Sequence, residues 1–384
     1  MKKQLVFEGD GWCSVTGDEF KEENVIRVAK SFSEYLISNN RNRSRVAVGF
    51  DGRQDSETYA RLVANVLAEG DFPVLLSSGI IPTPVLSFAT KQNNCTAGIM
   101  VTGGHNAPEY NGLKFRSANG APFNALEMRK VALLAASPET SHPPPSSSHL
   151  ISIIDFLPAY ISNLRTIVDF SAFRNFADNP KNIASVLIDS MGGAGQSILE
   201  DLFIDAGWRA QTIFGEAEPD FFDRSPESIS ENLDPLKYNV GVTDTALGIA
   251  TDGDAGCCGI VYDNGDWMEG QDSALALFWH LWKQKGWRGG IAKSKTPIDS
   301  ISLLAENMGA HVFYAQADFS SLSELMVKEQ CMFAADERGG FAYRKHTPDK
   351  DGILTGLLFA EMISIAGKSI REIVKEIRSV RGVH

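Results

Sequence analysis

Three short stretches of this 384-residue chain carry side chains that can do chemistry. In "ATDGDAGCCG", Asp252 and Asp254 flank a glycine, and carboxylates two residues apart on such a turn can both reach a divalent cation. Two acids make a poor cage for Mg2+, which completes its shell with water and substrate phosphate, so the spacing predicts a weak or phosphate-dependent metal site. The same residues also suit a turn that bonds its own backbone. In "GGHNAPEYNGLKF", His105 can shuttle a proton or donate to a phosphate, Lys114 can bind one, and Asn106 stands beside them. In "AADERGGFAYRKHTPDKDG", the carboxylates of Asp336 and Glu337 accept paired hydrogen bonds in fixed directions, which suits sugar hydroxyls, and Arg338 adds a cation. A satisfied loop histidine and solvated charges are the plainer alternative at both places.

The elements that must position these residues recur along the chain. "RVAVGFDGRQDSETYARLVANVLAEG" gives a strand at Val46–Phe50, a turn, and a helix whose Tyr59, Leu62, Val63, Val66 and Leu67 share a face. The order returns in "IASVLIDSMGGAGQSILEDLFIDAGWRAQTIFG" and in "GGIAKSKTPIDSISLLAENMGAHVFYA". Strands alternating with helices predict mixed, mainly parallel sheets covered on both faces, hence three successive α/β domains. Expected bounds are residues 1–135, a Pro/Ser-rich linker over 136–150, a second domain over 151–262 and a third over 263–384. Ligands of open α/β domains sit beyond the carboxyl ends of strands, which selects four loops: Asp51 to Arg53, Thr102 to Lys114, Thr251 to Cys257, and Asp336 to Gly340. If the domains face one another, all four line one cleft. "SMGGAGQS" lacks the spacing of a dinucleotide fingerprint and the lysine of a P-loop, and is expected to be structural.

Composition narrows the partners. A net charge of −12 argues against nucleic acid but leaves room for a small anion held by local cations. With 43% hydrophobic residues and no apolar run long enough to span a bilayer, no membrane partner is expected. Five scattered cysteines fit reduced thiols, and "MKKQLVFEGDGW" is no signal peptide, so a cytoplasmic protein is expected.

In family order, "FEGDGW", "GFDGR", "IPTP", "GIMVTGGHN", "PEYNGLKF", "GIATDGDA", "DERGGF" and "DGILTGLL" resemble the α-D-phosphohexomutases, the phosphoglucomutases and phosphomannomutases. The resemblance runs to about residue 377. It implies α/β domains around a cleft, a phosphorylated serine that hands its phosphoryl group to a sugar, and Mg2+ held by that phosphoserine and three aspartates. Arg53, His105, Asn106, Lys114, Asp252, Asp254, Asp336 and Glu337 match retained positions, with Arg53 and Asn106 implied as substrate-binding. The departures are equally specific. Gly104 stands where the nucleophilic serine belongs, and Gly256 and Cys257 replace an aspartate ligand and an arginine. Cys13 replaces another arginine, Ser320 a lysine, and Arg338 the serine of the sugar-binding loop, where Asp336 replaces a glutamate.

The sequence ends at "RSVRGVH", roughly where the family's fourth domain should begin, so three domains are expected here. Without an acceptor side chain the two-step relay has no carrier, and no ordinary mutase activity is expected. The leading expectation is a protein that binds a sugar phosphate without that reaction. A second is altered chemistry on a sugar phosphate or nucleoside-like sugar, by hydrolysis, elimination or epimerisation. In that reading Cys257 is a candidate reactive group, although its sequence neighbours offer no positive charge. A third is a scaffold whose apolar "LTGLLFAEMISIAG" is left uncovered for a second copy or a partner protein.

Overall fold

The computed structural model describes residues 5–41, 44–136, 148–294, 300–316 and 318–380. It contains three sheets, one for each expected α/β unit. The first has seven strands, in the order Phe7–Glu8, Gly11–Val15, Tyr110–Ser117, Ala97–Val101, Val46–Phe50, Val74–Ser77 and Ile151–Ile154. The second runs Trp267–Met268, Cys258–Tyr262, Leu247–Thr251, Ser185–Asp189, Arg209–Ile213, and the third Val312–Ala315, Ile291–Ser294, Phe333–Ala335, Phe341–Tyr343. In each sheet the strands read from apolar runs pair in parallel, and antiparallel strands extend one edge. Val46–Phe50, Ala97–Val101 and Leu247–Thr251 are buried along their whole length, as strands covered on both faces must be.

Two strands cross the expected boundaries. Ile151–Ile154, expected to open the second domain, pairs in parallel with Val74–Ser77 and completes the first sheet. Trp267–Met268, expected in the third domain, pairs with Cys258–Tyr262 in the second. Residues 137–147 of the anticipated linker lie outside the described residues.

The strand Tyr110–Ser117 shows how sequence alternation builds both core and cleft. Side chains of a strand point to opposite faces in turn. Leu113 and Phe115 enter the core beneath helices Glu22–Ser38 and Ala125–Ala135, so Lys114 and Arg116 face the other domains. Arg116 Nε lies 2.6 Å from Asp349 Oδ2 and its Nη1 2.5 Å from Asp10 Oδ2, while Ser87 Oγ donates to Asp349 Oδ2 at 2.6 Å. Breaking a buried pair of this kind costs about 3–5 kcal/mol, so this junction holds the first and third domains in one relative position. A continuous apolar core reinforces it, running from helix Thr83–Gln92 through helix Leu157–Ile167 to helix Ile370–Arg378.

Helix Gly352–Ala366 corrects the expectation of an uncovered flank. Its residues from Gly352 to Ile363 are buried, packed on helix Phe170–Ala177 and on strands Leu247–Thr251 and Cys258–Tyr262. A helix apolar all round is a buried helix, and here the second domain supplies the cover. Its one interior charge, Glu361, is paired with His280 Nε2 at 2.7 Å and Lys285 Nζ at 2.6 Å. Among the described residues no single helix is long and apolar enough to cross a membrane.

Candidate functional site

The loops selected at strand ends do converge, and backbone hydrogen bonds tie two of them to neighbouring segments. Thr83 N donates to Asp254 O at 2.9 Å, Gly352 N to Ala255 O at 3.0 Å, and Cys258 N to Gly339 O at 3.0 Å. The loop after Ala97–Val101 folds back over Arg53. The Arg53 guanidinium donates to the carbonyls of Gly104 (2.7 Å), Asn106 (2.6 Å), Ala107 (2.8 Å) and Tyr110 (2.8 Å). Its Nε sits 3.3 Å from Asp51 Oδ2, and the ring of Phe221 lies 4.7 Å from its Cζ. Arg53 is 3% exposed and is therefore a loop-holding residue, which corrects its expected place among the substrate contacts. Asp51 in turn accepts from Thr102 Oγ1 at 2.6 Å, and Thr102 Oγ1 accepts from Gly104 N at 2.8 Å.

Gly104 has φ +62°, a left-handed conformation that favours glycine. A Cβ built there would collide with Lys114 Nζ and stand 3.6 Å from Asp254 Oδ2. The ammonium that crowds this point lies 3.1 Å from Asp254 Oδ2, which also accepts from Thr83 Oγ1 at 2.8 Å. Thr83 belongs to "IPTP", whose helix start is thus a clamp on the Asp254 turn.

The electrostatics follow from this contact. Burial pulls the Lys114 ammonium down, but Asp254 and Asp10 outweigh it and raise its pKa. Burial pushes Asp254 up, but Lys114 and Lys350 hold it well below the usual carboxylate range. Asp252 goes the other way: burial, then the charge of Asp254, push it up to about 7. Asp252 Oδ1 accepts from Cys257 N at 2.9 Å, while its buried Oδ2 has no hydrogen-bond partner.

The remaining positions are distributed around this pair. His105 Nε2 lies 3.3 Å from Arg338 Nη1, and since arginine can only donate, the imidazole accepts. Burial and the charge of Lys114 push His105 down to about 4, so at neutral pH it is uncharged and its proton is on Nδ1. In the cleft without ligand the imidazole is thus a neutral acceptor toward Arg338, with Nδ1–H left as its donor. Asn106 Nδ2 donates to Cys13 Sγ at 3.3 Å. Asp336 Oδ1 accepts from the backbone of Arg338 (2.9 Å) and Gly340 (2.7 Å), so it braces its own loop, whereas Glu337 and Arg338 are exposed. Ser320 Oγ donates to Asp318 Oδ1 at 2.6 Å at the start of helix Phe319–Lys328.

Lys350 is a cleft residue that sequence reasoning missed. Its Nζ lies 3.7 Å from Cys257 Sγ, and Asp336, Asp252 and Asp254 help raise its pKa against the opposing effect of burial. The positive charge absent from the sequence neighbours of Cys257 is thus delivered by the third domain. Burial still pushes the thiol well up, so it stays protonated. Nothing in "KHTPDKDG" separates Lys350 from Lys345 without the tertiary contacts.

A resident Mg2+ does not fit this donor set. Asp252 Oδ2 is an open buried oxygen, but Lys114 and Thr83 hold the facing Asp254 Oδ2, and Gly104 and Gly256 bring no side-chain oxygen. Among the described residues no group of three His, Cys, Asp or Glu gathers as a metal cluster. Mg2+ demands near-octahedral oxygen ligands.

Comparison with known proteins agrees with this architecture. Family models for phosphoglucomutase/phosphomannomutase alpha/beta/alpha domains I, II and III match residues 4–140, 158–265 and 270–380. The "Probable phosphoglucosamine mutase" of Methanobrevibacter smithii is 29% identical over 380 residues, spanning 99% of this chain and 80% of that protein. The crystal structure of a Thermus thermophilus protein assigned as a phosphomannomutase superposes with a TM-score of 0.92 at 30% identity, covering 99% of this chain and 84% of that one. An Aspergillus fumigatus N-acetylphosphoglucosamine mutase, solved with GlcNAc-6P and magnesium, shares the fold alone, at a TM-score of 0.53, 14% identity and 76% coverage of each chain. Matched in all three domains and in overall structure, the chain belongs to the phosphoglucomutase/phosphomannomutase family, the phosphohexomutases.

Proposed function

We propose that this protein binds a sugar phosphate in the cleft between its domains and does not carry out the family's phosphoserine relay. One observation carries the reading. Residue 104 has no side chain, and the space where one would begin is taken by Lys114 Nζ. A covalent relay needs an acceptor atom at that point, and its loss alone lowers turnover by about 10³- to 10⁶-fold.

The rest of the cleft supports binding. Lys114, Lys350 and Arg338 offer cations from two domains to a phosphate that the net charge of −12 would otherwise repel. Glu337 and Arg338 border a cavity of about 200 Å³ that also touches Ser228, Glu231, Trp267 and Glu269, a mixture of hydroxyl, carboxylate and aromatic groups suited to a sugar ring. Magnesium, in this reading, enters with the phosphate oxygens of a ligand and is not a resident of the empty protein. The five unpaired cysteines agree with a reducing compartment, and we place the protein in the cytoplasm.

A thermal-shift series with glucose 1-phosphate, mannose 1-phosphate and glucosamine 1-phosphate tests the reading. A ligand at a hundred times its Kd stabilises the folded state by about 2.7 kcal/mol. A shift with at least one hexose phosphate, without conversion to the 6-phosphate, is the expected result. Conversion at more than a trace rate overturns it.

A second reading has its own observation. Asp252 and Asp254, neighbours in one turn, have pKa values driven in opposite directions, the arrangement of an acid and base pair. It implies proton-transfer chemistry on the bound sugar, and any new product in a sugar phosphate screen that disappears in D252N favours it.

A further inference from the structure

We propose that Lys114 is the resident cation of this cleft, standing at Asp254 in place of a divalent metal ion, and that the missing side chain at Gly104 is what lets it stand there. Three observations meet at one point. Lys114 Nζ is 3.1 Å from Asp254 Oδ2. A Cβ on Gly104 would collide with that same nitrogen, and would sit 3.6 Å from the same carboxylate oxygen. Asp252 Oδ2, buried beside them, has no hydrogen-bond partner, so the oxygens of this turn are not otherwise saturated. One small volume therefore has three claimants: a side chain at position 104, the lysine ammonium, and any metal that would use Asp254.

With no phosphoserine at 104 and no carboxylate at 256 to offset them, two cations at this point repel one another. A divalent ion coordinated by Asp254 Oδ2 would come within about 4 Å of the ammonium and repel it strongly in a partly buried site. The lysine is also the cheaper occupant. It is tethered by its own strand, Tyr110–Ser117, whereas Mg2+ must shed water to enter a site with two carboxylates. Because the colliding atom is the far end of a flexible side chain, a residue larger than glycine at 104 would displace the ammonium and leave the backbone in place. Displacement would free Asp254 Oδ2 for a metal. On this geometry the glycine at 104 and the ammonium at Asp254 are linked, while the side-chain oxygen missing at Gly256 weakens the metal site separately. The inference holds whichever ligand fills the cleft, since it concerns the protein before any sugar binds.

Mn2+ serves as the probe, because free Mn2+ gives an electron paramagnetic resonance signal that falls on binding. The purified full chain is titrated without sugar, together with K114M, K114Q and G104S, each first checked for a native melting transition. Wild type should leave millimolar Mn2+ essentially free. K114M or K114Q, and independently G104S, should bind it at least tenfold more tightly, and adding D254N to either should abolish the gain. Wild-type affinity within threefold of the folded variants, lost in D254N, would overturn the proposal. So would folded variants of both kinds that bind no better than wild type. If K114M does not fold, K114Q and G104S carry the comparison.

Discussion

The most quantitative consequence of the cleft concerns Asp252. Its folded-state carboxyl sits at about 7, against 3.8 for an unperturbed aspartate. A group whose folded pKa is raised contributes stability that is whole below the unfolded pKa and is lost as pH rises through the folded one. The window for Asp252 therefore runs from about pH 4 to about pH 7. Asp252 and Asp254 titrate as a pair, so the direction is what the structure fixes, and the loss between pH 5 and pH 8 is on the order of 1–3 kcal/mol. Asp254 does not confuse this interval. Its pKa is lowered, so its contribution is lost only as pH falls below the ordinary carboxylate range. Asn at position 252 keeps the shape and the acceptor for Cys257 N but cannot ionise. Urea unfolding of wild type and D252N at pH 5, 6, 7 and 8 should show the variant gaining stability relative to wild type at each step, by on the order of 1–3 kcal/mol in all. A difference between the two proteins that stays flat from pH 5 to pH 8 would refute the reasoning, because it would mean that Asp252 is ionised throughout.

Further consequences are local. R53A removes the donor for four loop carbonyls and leaves Asp51 buried without its cation, so it should cost about 3–5 kcal/mol and expose the amides of residues 104–110 to hydrogen exchange, with R53K recovering part of the loss. G104A should destabilise the protein by about 1 kcal/mol or more, read by urea unfolding, because alanine resists the +62° φ and crowds Lys114. L357A, in the buried helix Gly352–Ala366, should cost about 2–5 kcal/mol by the same measurement.

Much of the fold is legible in the residues because burial on two faces leaves a local mark. "VAVGF", "AGIMV" and "LGIAT" have no polar alternation, and each is a central strand at its expected place. Strand pairing across domain boundaries left no such mark. "ISII" carries nothing to say that it adds to a sheet begun far upstream, and it does so through contacts with Val74–Ser77. The apolar run "GILTGLLFAEM" announces burial but not its cover, which is a helix of the second domain.

The site divides in the same way. That His105, Lys114, Asp252, Asp254 and Glu337 belong near one cleft follows from loops at strand ends. What each side chain does there depends on partners that its place on a loop does not name. Arg53 turns inward because four carbonyls of the loop over it need donors, and Asp336 turns back on its own loop. Lys350 becomes a cleft residue only through the packing of the third domain against the Asp252 turn.

The most direct test is a phosphoryl-transfer experiment on the purified full chain. The protein is incubated with glucose 1-phosphate and a catalytic amount of glucose 1,6-bisphosphate, with Mg2+, while glucose 6-phosphate is followed by a coupled assay and the protein by intact and peptide mass spectrometry. No product above the protein-free control and no phosphorylated peptide spanning residues 102–114 are expected. Steady formation of glucose 6-phosphate, accompanied by a phosphorylated side chain in that segment that discharges on adding sugar phosphate, would contradict the claim that Gly104 leaves the cleft without a covalent carrier.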